Sequence, residues 1–252
     1  MASQGMHSPV EQFEIKPLIE LSAGGFDISF TNSSLFMLLA FLVSGVFFVT
    51  AMRRGELVPG RMQSAAEMVY EFVADMVRGN VGSEGHAYFP FIFTLFVFLL
   101  FGNMLGLIPY SYTFTSQIVV TFFMAAFVFV AVTLIALFKH GLHFFSFFVP
   151  AGAPKVLIPF LIVIEVISYF VRPVSLSVRL FANMLAGHTM LKVFAGLAVM
   201  ISGAGGLAMA GSLLPFLALI GLTGLEVLVA ALQAYVFTIL TCMYLNDALH
   251  LH

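Results

Sequence analysis

The chain has 252 residues, 61% of them hydrophobic and only 9% charged, with a formal net charge of −2. Soluble domains are about a quarter charged, so this composition excludes an ordinary soluble globular fold. It also excludes a nucleic-acid binder, which needs a basic cluster, and a disulfide scaffold, because Cys242 is the single cysteine.

Residues 1–30 are polar or mixed and contain no charged-then-apolar leader pattern, so the first apolar span is expected to direct insertion. That span covers 33–52 and stops at Arg53 and Arg54. It has the roughly 20 residues a bilayer-crossing helix needs. Residues 61–79 place Met62, Ala65, Ala66, Val69, Phe72, Val73, Met76 and Val77 on one helical stripe, with Glu67, Glu71 and Asp75 opposite. This pattern predicts an amphipathic helix lying along a membrane surface or a partner. A third helix is expected over 88–108, ended by Pro109, and a fourth over 115–138, ended by Lys139, His140 and Gly141. Two long segments follow, 154–201 and 207–249, joined by the glycine-rich "SGAGG". Each exceeds a perpendicular span, so each is either steeply tilted or broken. Pro173 favours a kink in the first of them.

The expected fold is a single all-α polytopic membrane domain, with about five embedded helices and one amphipathic helix. The alternating segments of about ten residues that a β-barrel requires are missing. No internal repeat is evident, which weighs against an inverted-repeat transporter.

Basic residues set the expected orientation. Arg53, Arg54 and Arg61 follow the first span, and Lys139 and Lys155 flank the loop after the fourth. The connections near 109–117 and 202–215 carry no charge. Positive charge favours the cytoplasmic side, which leaves the acidic segment 1–30 outside and the C-terminus inside.

The apolar background of the last two segments is broken by Glu165, Arg172, Arg179, Asn183, His188, Lys192, Glu226, Gln233 and Asp247. Glu165, Arg172 and Arg179 are seven apart and Asn183 is four further on, so they share roughly one helical face. Glu226 and Gln233 share a face of the last helix. Titratable groups thus lie on both sides of Arg179, which stays charged at any ordinary pH. Such an arrangement suggests two separate proton half-paths, with the arginine preventing a leak. Blander readings stand beside this one. Arg172 and Lys192 could snorkel, Asp247 could be an interfacial helix end, and Asn183 and Gln233 could simply bond neighbouring helices. His140, His143 and His188 differ too much in expected depth for a shared metal. Motifs for zinc proteases, phosphate loops and serine hydrolases are absent.

"PVSLSVRLFANMLAGH" followed by "LEVLVAALQAYVFTIL" resembles subunit a of F-type ATP synthases, as does "FGNMLGLIPYSYTFTSQ". The resemblance covers most of 30–250; the first 30 residues carry no signature. It implies that Arg179 faces the carboxylate of a rotating c-subunit ring, with Asn183 and Gln233 near it. His188 and Glu226 would line the outer half-channel, and Glu165 and Asp247 the inner one. The histidine and acid stand as in mitochondrial and related bacterial members; some bacterial members exchange them. The family fold has its last two helices strongly tilted against the ring. Further implied partners are peripheral-stalk b subunits and the soluble catalytic sector. A bacterial inner membrane is expected over a mitochondrial one, with no cofactor and no covalent catalysis by this chain. The alternative reading is a self-contained proton-coupled secondary transporter.

Overall fold

The computed structural model describes residues 13–250 apart from 21, 24–25, 28, 54, 109–110, 149–156 and 204–210. Arg54, Pro109, Lys155, residues 204–206 of "SGAGG" and the expected helix starts at 154 and 207 therefore lie outside the described residues.

The N-terminal segment contains two short antiparallel pairs that its mixed sequence did not announce. β1 (Pro17–Ile19) pairs with β4 (Phe30–Thr31), and β2 (Ser22–Ala23) with β3 (Phe26–Asp27). Asn32 fastens this segment to the first helix: its amide donates to the Glu14 carbonyl at 3.0 Å and its Oδ1 accepts from Lys16 N.

The first helix, α1 (Asn32–Met52), is capped by Thr31, whose hydroxyl accepts from Ser34 N at 3.4 Å. Its buried residues are the small ones, Ser33, Ala40, Ser44 and Ala51, spaced so as to form one narrow stripe. Phe41, Val46 and Val49 point away from the protein. With no hydrophobic drive between helices in lipid, small residues are what permit close backbone approach.

The amphipathic helix α2 (Arg61–Val81) ends at Gly82, whose φ of 75° suits glycine. Its apolar stripe is half-covered by protein: Ala66, Val73, Met76 and Val77 are buried, whereas Met62 and Phe72 stay exposed, the Phe72 ring lying 5.6 Å from Phe96 and 5.7 Å from Tyr235. A 3₁₀ segment (Gly82–Tyr88) leads into α3 (Phe89–Gly106). This helix stops two residues short of the expected 108. The chain folds back there, and the hydroxyls of Ser111 and Thr113 donate to the Gly106 carbonyl at 2.9 and 3.1 Å. These bonds satisfy an acceptor that a continuing helix would have used.

A second 3₁₀ turn (Phe114–Ser116) precedes α4 (Ile118–His140), which ends at Gly141 with φ 57°. The two long helices are α5 (Ile158–Gly203), continuous through Pro173, and α6 (Leu213–Leu249). Among the described residues five helical stretches are long and apolar enough to cross a membrane. α6 is the hub and packs on α2, α3, α4 and α5. Ile92, Leu99, Val128, Leu180, Phe237 and Leu245 form the centre of the core.

The two ends of the bundle are distinct. At one, Gln117 Nε2 donates to the Phe13 carbonyl at 2.6 Å and to the Tyr112 hydroxyl at 2.8 Å, joining the α3–α4 loop to the N-terminal segment. Burial pushes the Tyr112 phenol above its usual range, and the Gln117 bond opposes that. At the other end His140 Nε2 donates to the Ala248 carbonyl at 3.1 Å, and Lys139 pairs with Glu84.

Gly102 is a tight point of this packing, because a Cβ there would overlap the buried Phe114 ring. Gly102→Ala is expected to destabilise the protein by about 1–3 kcal/mol, the usual cost of overpacking. A lowered melting temperature of the detergent-purified protein checks this. Gly45→Ala, with nothing within 4 Å of the new methyl, serves as the unaffected control.

Candidate functional site

α5 and α6 run antiparallel and meet in two polar clusters. In the first, His188 Nδ1 approaches Glu226 Oε1 to 2.5 Å, with side chains only 11% and 5% exposed. Gly187 makes room for the acid, since a Cβ at that position would lie 2.8 Å from Glu226 Oε1. His188 Nδ1 is also 3.0 Å from the Met184 carbonyl. Nε2 lies 3.0 Å from the Gly106 carbonyl and 2.9 Å from Thr113 Oγ1. Both ring nitrogens therefore face oxygen acceptors, a surrounding that a ring protonated on both nitrogens can satisfy.

Glu226 is held differently. Neither of its oxygens has a well-directed hydrogen bond among the described residues. The short approach to Nδ1 is off the N–H direction, so the contact is electrostatic. A buried acid against an imidazole, with no rigid bonds of its own, is placed to take up and hand on a proton.

In the second cluster Arg172 Nη1 donates to Asp247 Oδ2 at 3.0 Å. The guanidinium lies over the rings of Tyr169 and Tyr244, 5.6 and 5.1 Å from their centroids. The Tyr169 hydroxyl meets Thr133 Oγ1 at 2.7 Å. Since Thr133 also donates to the Phe129 carbonyl, it accepts from the tyrosine. This cluster binds α4, α5 and α6 together.

Sixteen residues separate Arg172 from His188 on α5, about 24 Å along a helix axis. Arg179 lies between them and is exposed, as is Asn183 one turn on. The exposed stripe around them, Ser175, Val178, Ala182 and Ala186, is made of small side chains. Gln233 is buried in α6. Glu165 is half-buried, about 21 Å from Arg179 on the Arg172 side. It forms no hydrogen bond or ion pair with another described residue.

Of the residues picked out from sequence, the structure thus joins His188 to Glu226 and Arg172 to Asp247. It does not join Glu165 to Asp247, or Asn183 to Gln233. Arg172 is half-covered and paired with an acid, a partner that the sequence did not indicate. His140 belongs to the Asp247 end, far from His188. Thr113 and the Gly106 carbonyl were missed altogether. Their only sequence signal was their place in "FGNMLGLIPYSYTFTSQ", which joins two helices 75 residues before the histidine it touches.

Long apolar helices that enclose a histidine–carboxylate contact and half-cover an arginine–carboxylate pair mark a multi-pass membrane protein with charged groups kept inside its helical bundle. The family model for the ATP synthase A chain matches residues 34–246, and this chain belongs to that family. A protein of Rhodospirillum rubrum named ATP synthase subunit a is 59% identical over 247 residues, spanning 98% of this chain and 100% of its own length. Its namesake in Parvibaculum lavamentivorans is 56% identical over 242 residues, 96% of this chain and 93% of its own. That of Agrobacterium fabrum is 52% identical over 244 residues, 97% and 98% respectively. The chain is a proton-translocating, non-catalytic membrane subunit of the ATP synthase complex.

The His188–Glu226 contact predicts that cysteines at both positions, in a Cys242→Ala background, are bridged by a short bifunctional thiol reagent. Cross-linked product seen by mobility shift checks this, and a Glu165→Cys, Glu226→Cys pair is expected to give none.

Proposed function

We propose that the two polar clusters are the inner ends of two proton half-paths, kept apart by Arg179. The observation that carries this reading is the placement of Arg179: between two clusters of titratable groups, open to the outside of the fold and lined by small side chains. A small-residue stripe lets a partner helix come close. The partner is the ring of c subunits, whose lipid-facing carboxylates pass Arg179 in turn.

Protons enter on the side of His188 and Glu226 and neutralise a ring carboxylate. The ring then carries them round to leave by way of Glu165 and Asp247, with Asn183 and Gln233 near the crossing. Arg179 favours the ionised ring acid at the release point. It also repels any proton moving directly between the half-paths. Each charge that crosses gains about 2.3 kcal/mol per 100 mV of membrane potential, so one ATP needs several. The basic residues Arg53 and Lys139 favour the cytoplasmic side of a bacterial plasma membrane for the Asp247 end. Peripheral-stalk b subunits and the soluble catalytic sector complete the assembly.

The test uses vesicles containing the membrane sector, with the ring carboxylate blocked and a potential imposed. Arg179→Ala is expected to abolish coupled ATP synthesis and to admit passive proton flow. Glu226→Gln is expected to slow synthesis and flow alike, because it removes a relay and leaves the barrier. If Arg179→Ala leaks no more than Glu226→Gln, the arginine is not the barrier. Co-purification with a c ring separates this reading from a self-contained transporter.

A further inference from the structure

The loop between α3 and α4 takes part in the His188 site in a way the two half-paths do not require. It presents two oxygens to His188 Nε2: the Gly106 carbonyl at 3.0 Å and Thr113 Oγ1 at 2.9 Å. Thr113 in turn donates to that carbonyl at 3.1 Å, so its hydroxyl is left accepting from the ring. A carbonyl can only accept, and the pair therefore requires a proton on Nε2 in the observed pose.

Thr113 has little freedom to do otherwise. It is 3% exposed, and its backbone carbonyl accepts from the Ser116 hydroxyl at 2.6 Å and from Ser116 N at 3.1 Å. Thr115, fully buried, donates to Asn103 Oδ1 at 2.9 Å. Asn103 passes the constraint on, donating to the Ala230 carbonyl of α6 at 3.2 Å. Ala230 is one turn beyond Glu226, so the loop that holds the histidine is bolted to the helix that carries the acid. Gly106 is equally committed: a Cβ there would lie 2.5 Å from Thr113 Oγ1.

We infer that Thr113 is a positioning residue, which fixes the ring orientation of His188 so that Nδ1, and not a ring carbon, faces Glu226. An imidazole turned over about its Cβ–Cγ bond would offer Glu226 a C–H and break the proton hand-over, even with both residues present. Orienting partners that lock the other ring nitrogen are a general means of fixing which nitrogen reacts. Glu226 is the one charged side chain in contact with His188 among the described residues. Among the described residues of the N-terminal segment, Phe13 contributes its ring, edge-on with centroids 6.4 Å apart.

The inference rests on the reading of His188 and Glu226 as a proton path, and the experiment separates the two. Proton flux into vesicles holding the assembled membrane sector is compared for wild type, His188→Ala, Thr113→Val and Thr113→Ser, together with the ¹⁵N signal of His188 Nε2. Thr113→Val keeps the shape and removes the hydroxyl, so flux is expected to fall about tenfold, the effect of one lost hydrogen bond. The Nε2 signal is expected to shift with it. Thr113→Ser keeps the hydroxyl and is expected to retain flux within about twofold, with the signal in place. If His188→Ala conducts normally, the path reading itself fails and this inference with it. If His188→Ala blocks flux but Thr113→Val conducts normally, only the positioning role is overturned. Equal loss in Val and Ser with an unmoved Nε2 signal also overturns it, because the side chain then matters only for packing.

Discussion

The close approach of α6 to four other helices is the constraint on which the rest of this structure depends. Its buried face reads Glu226, Ala230, Gln233, Ala234, Phe237, Thr238, Thr241, Cys242 and Leu245, a helical stripe rich in small side chains. Ala230, Ala234, Thr238, Thr241 and Cys242 are wholly enclosed. In lipid, apolar burial gives no preference for protein over solvent, so shape and hydrogen bonding must hold helices together. Small residues supply the shape. Thr238 and Thr241 avoid a polar cost by donating to carbonyls of their own helix, at 2.8 and 2.9 Å. Only with the backbones this near can Glu226 reach across to His188, and Asp247 to Arg172.

The charges divide accordingly. Ions removed from water are tolerated where they are paired and hydrogen-bonded, and each polar cluster meets that condition in a different way. Arg172 is fully engaged, by Asp247 and two aromatic faces, and so behaves as a structural tie between α5 and the end of α6. Glu226 faces its histidine without directed bonds among the described residues, held by electrostatic contact alone. Arg179 and Asn183 have neither kind of support among the described residues. They stand exposed among the small side chains of Ser175, Val178, Ala182 and Ala186, the surface that the proposed ring contact would cover.

Much of the fold was legible because lipid imposes a simple code. Long apolar runs, a 3.6-residue stripe in α2 and the terminal glycine at 141 can all be read without a structure. The discrepancies come from tertiary contacts. α3 ends early because the returning loop bonds to Gly106, and no local signal at 106 shows that Thr113 will come back to it. The stripe of α2 could be read, but not that its Val73, Met76 and Val77 would join the core of the chain's own bundle. Arg179, His188 and Glu226 stood out as polar residues in an apolar background. Their pairing did not, since His188 and Glu226 lie 38 residues apart on separate helices. Arg172 looked like a snorkelling side chain for the same reason: its acid is 75 residues away.

The length of α5 bears on why two half-paths need a moving partner. Its 46 residues extend about 69 Å if straight, more than twice a hydrocarbon core of about 30 Å. Confined to that core, such a helix rises less than half an ångström per ångström of its length. The axial distance of about 24 Å between Arg172 and His188 then becomes only about 10 Å of depth, and some 22 Å of displacement within the membrane plane. Under that confinement the two clusters would be offset chiefly sideways. A proton reaching one of them has gained only part of the membrane's depth, and vertical diffusion does not bring it to the other. On the proposed reading a carrier that moves laterally past Arg179 does, and a turning ring of carboxylates would be such a carrier. A long oblique helix with its fixed charge in the middle would then convert a transmembrane force into motion in the plane.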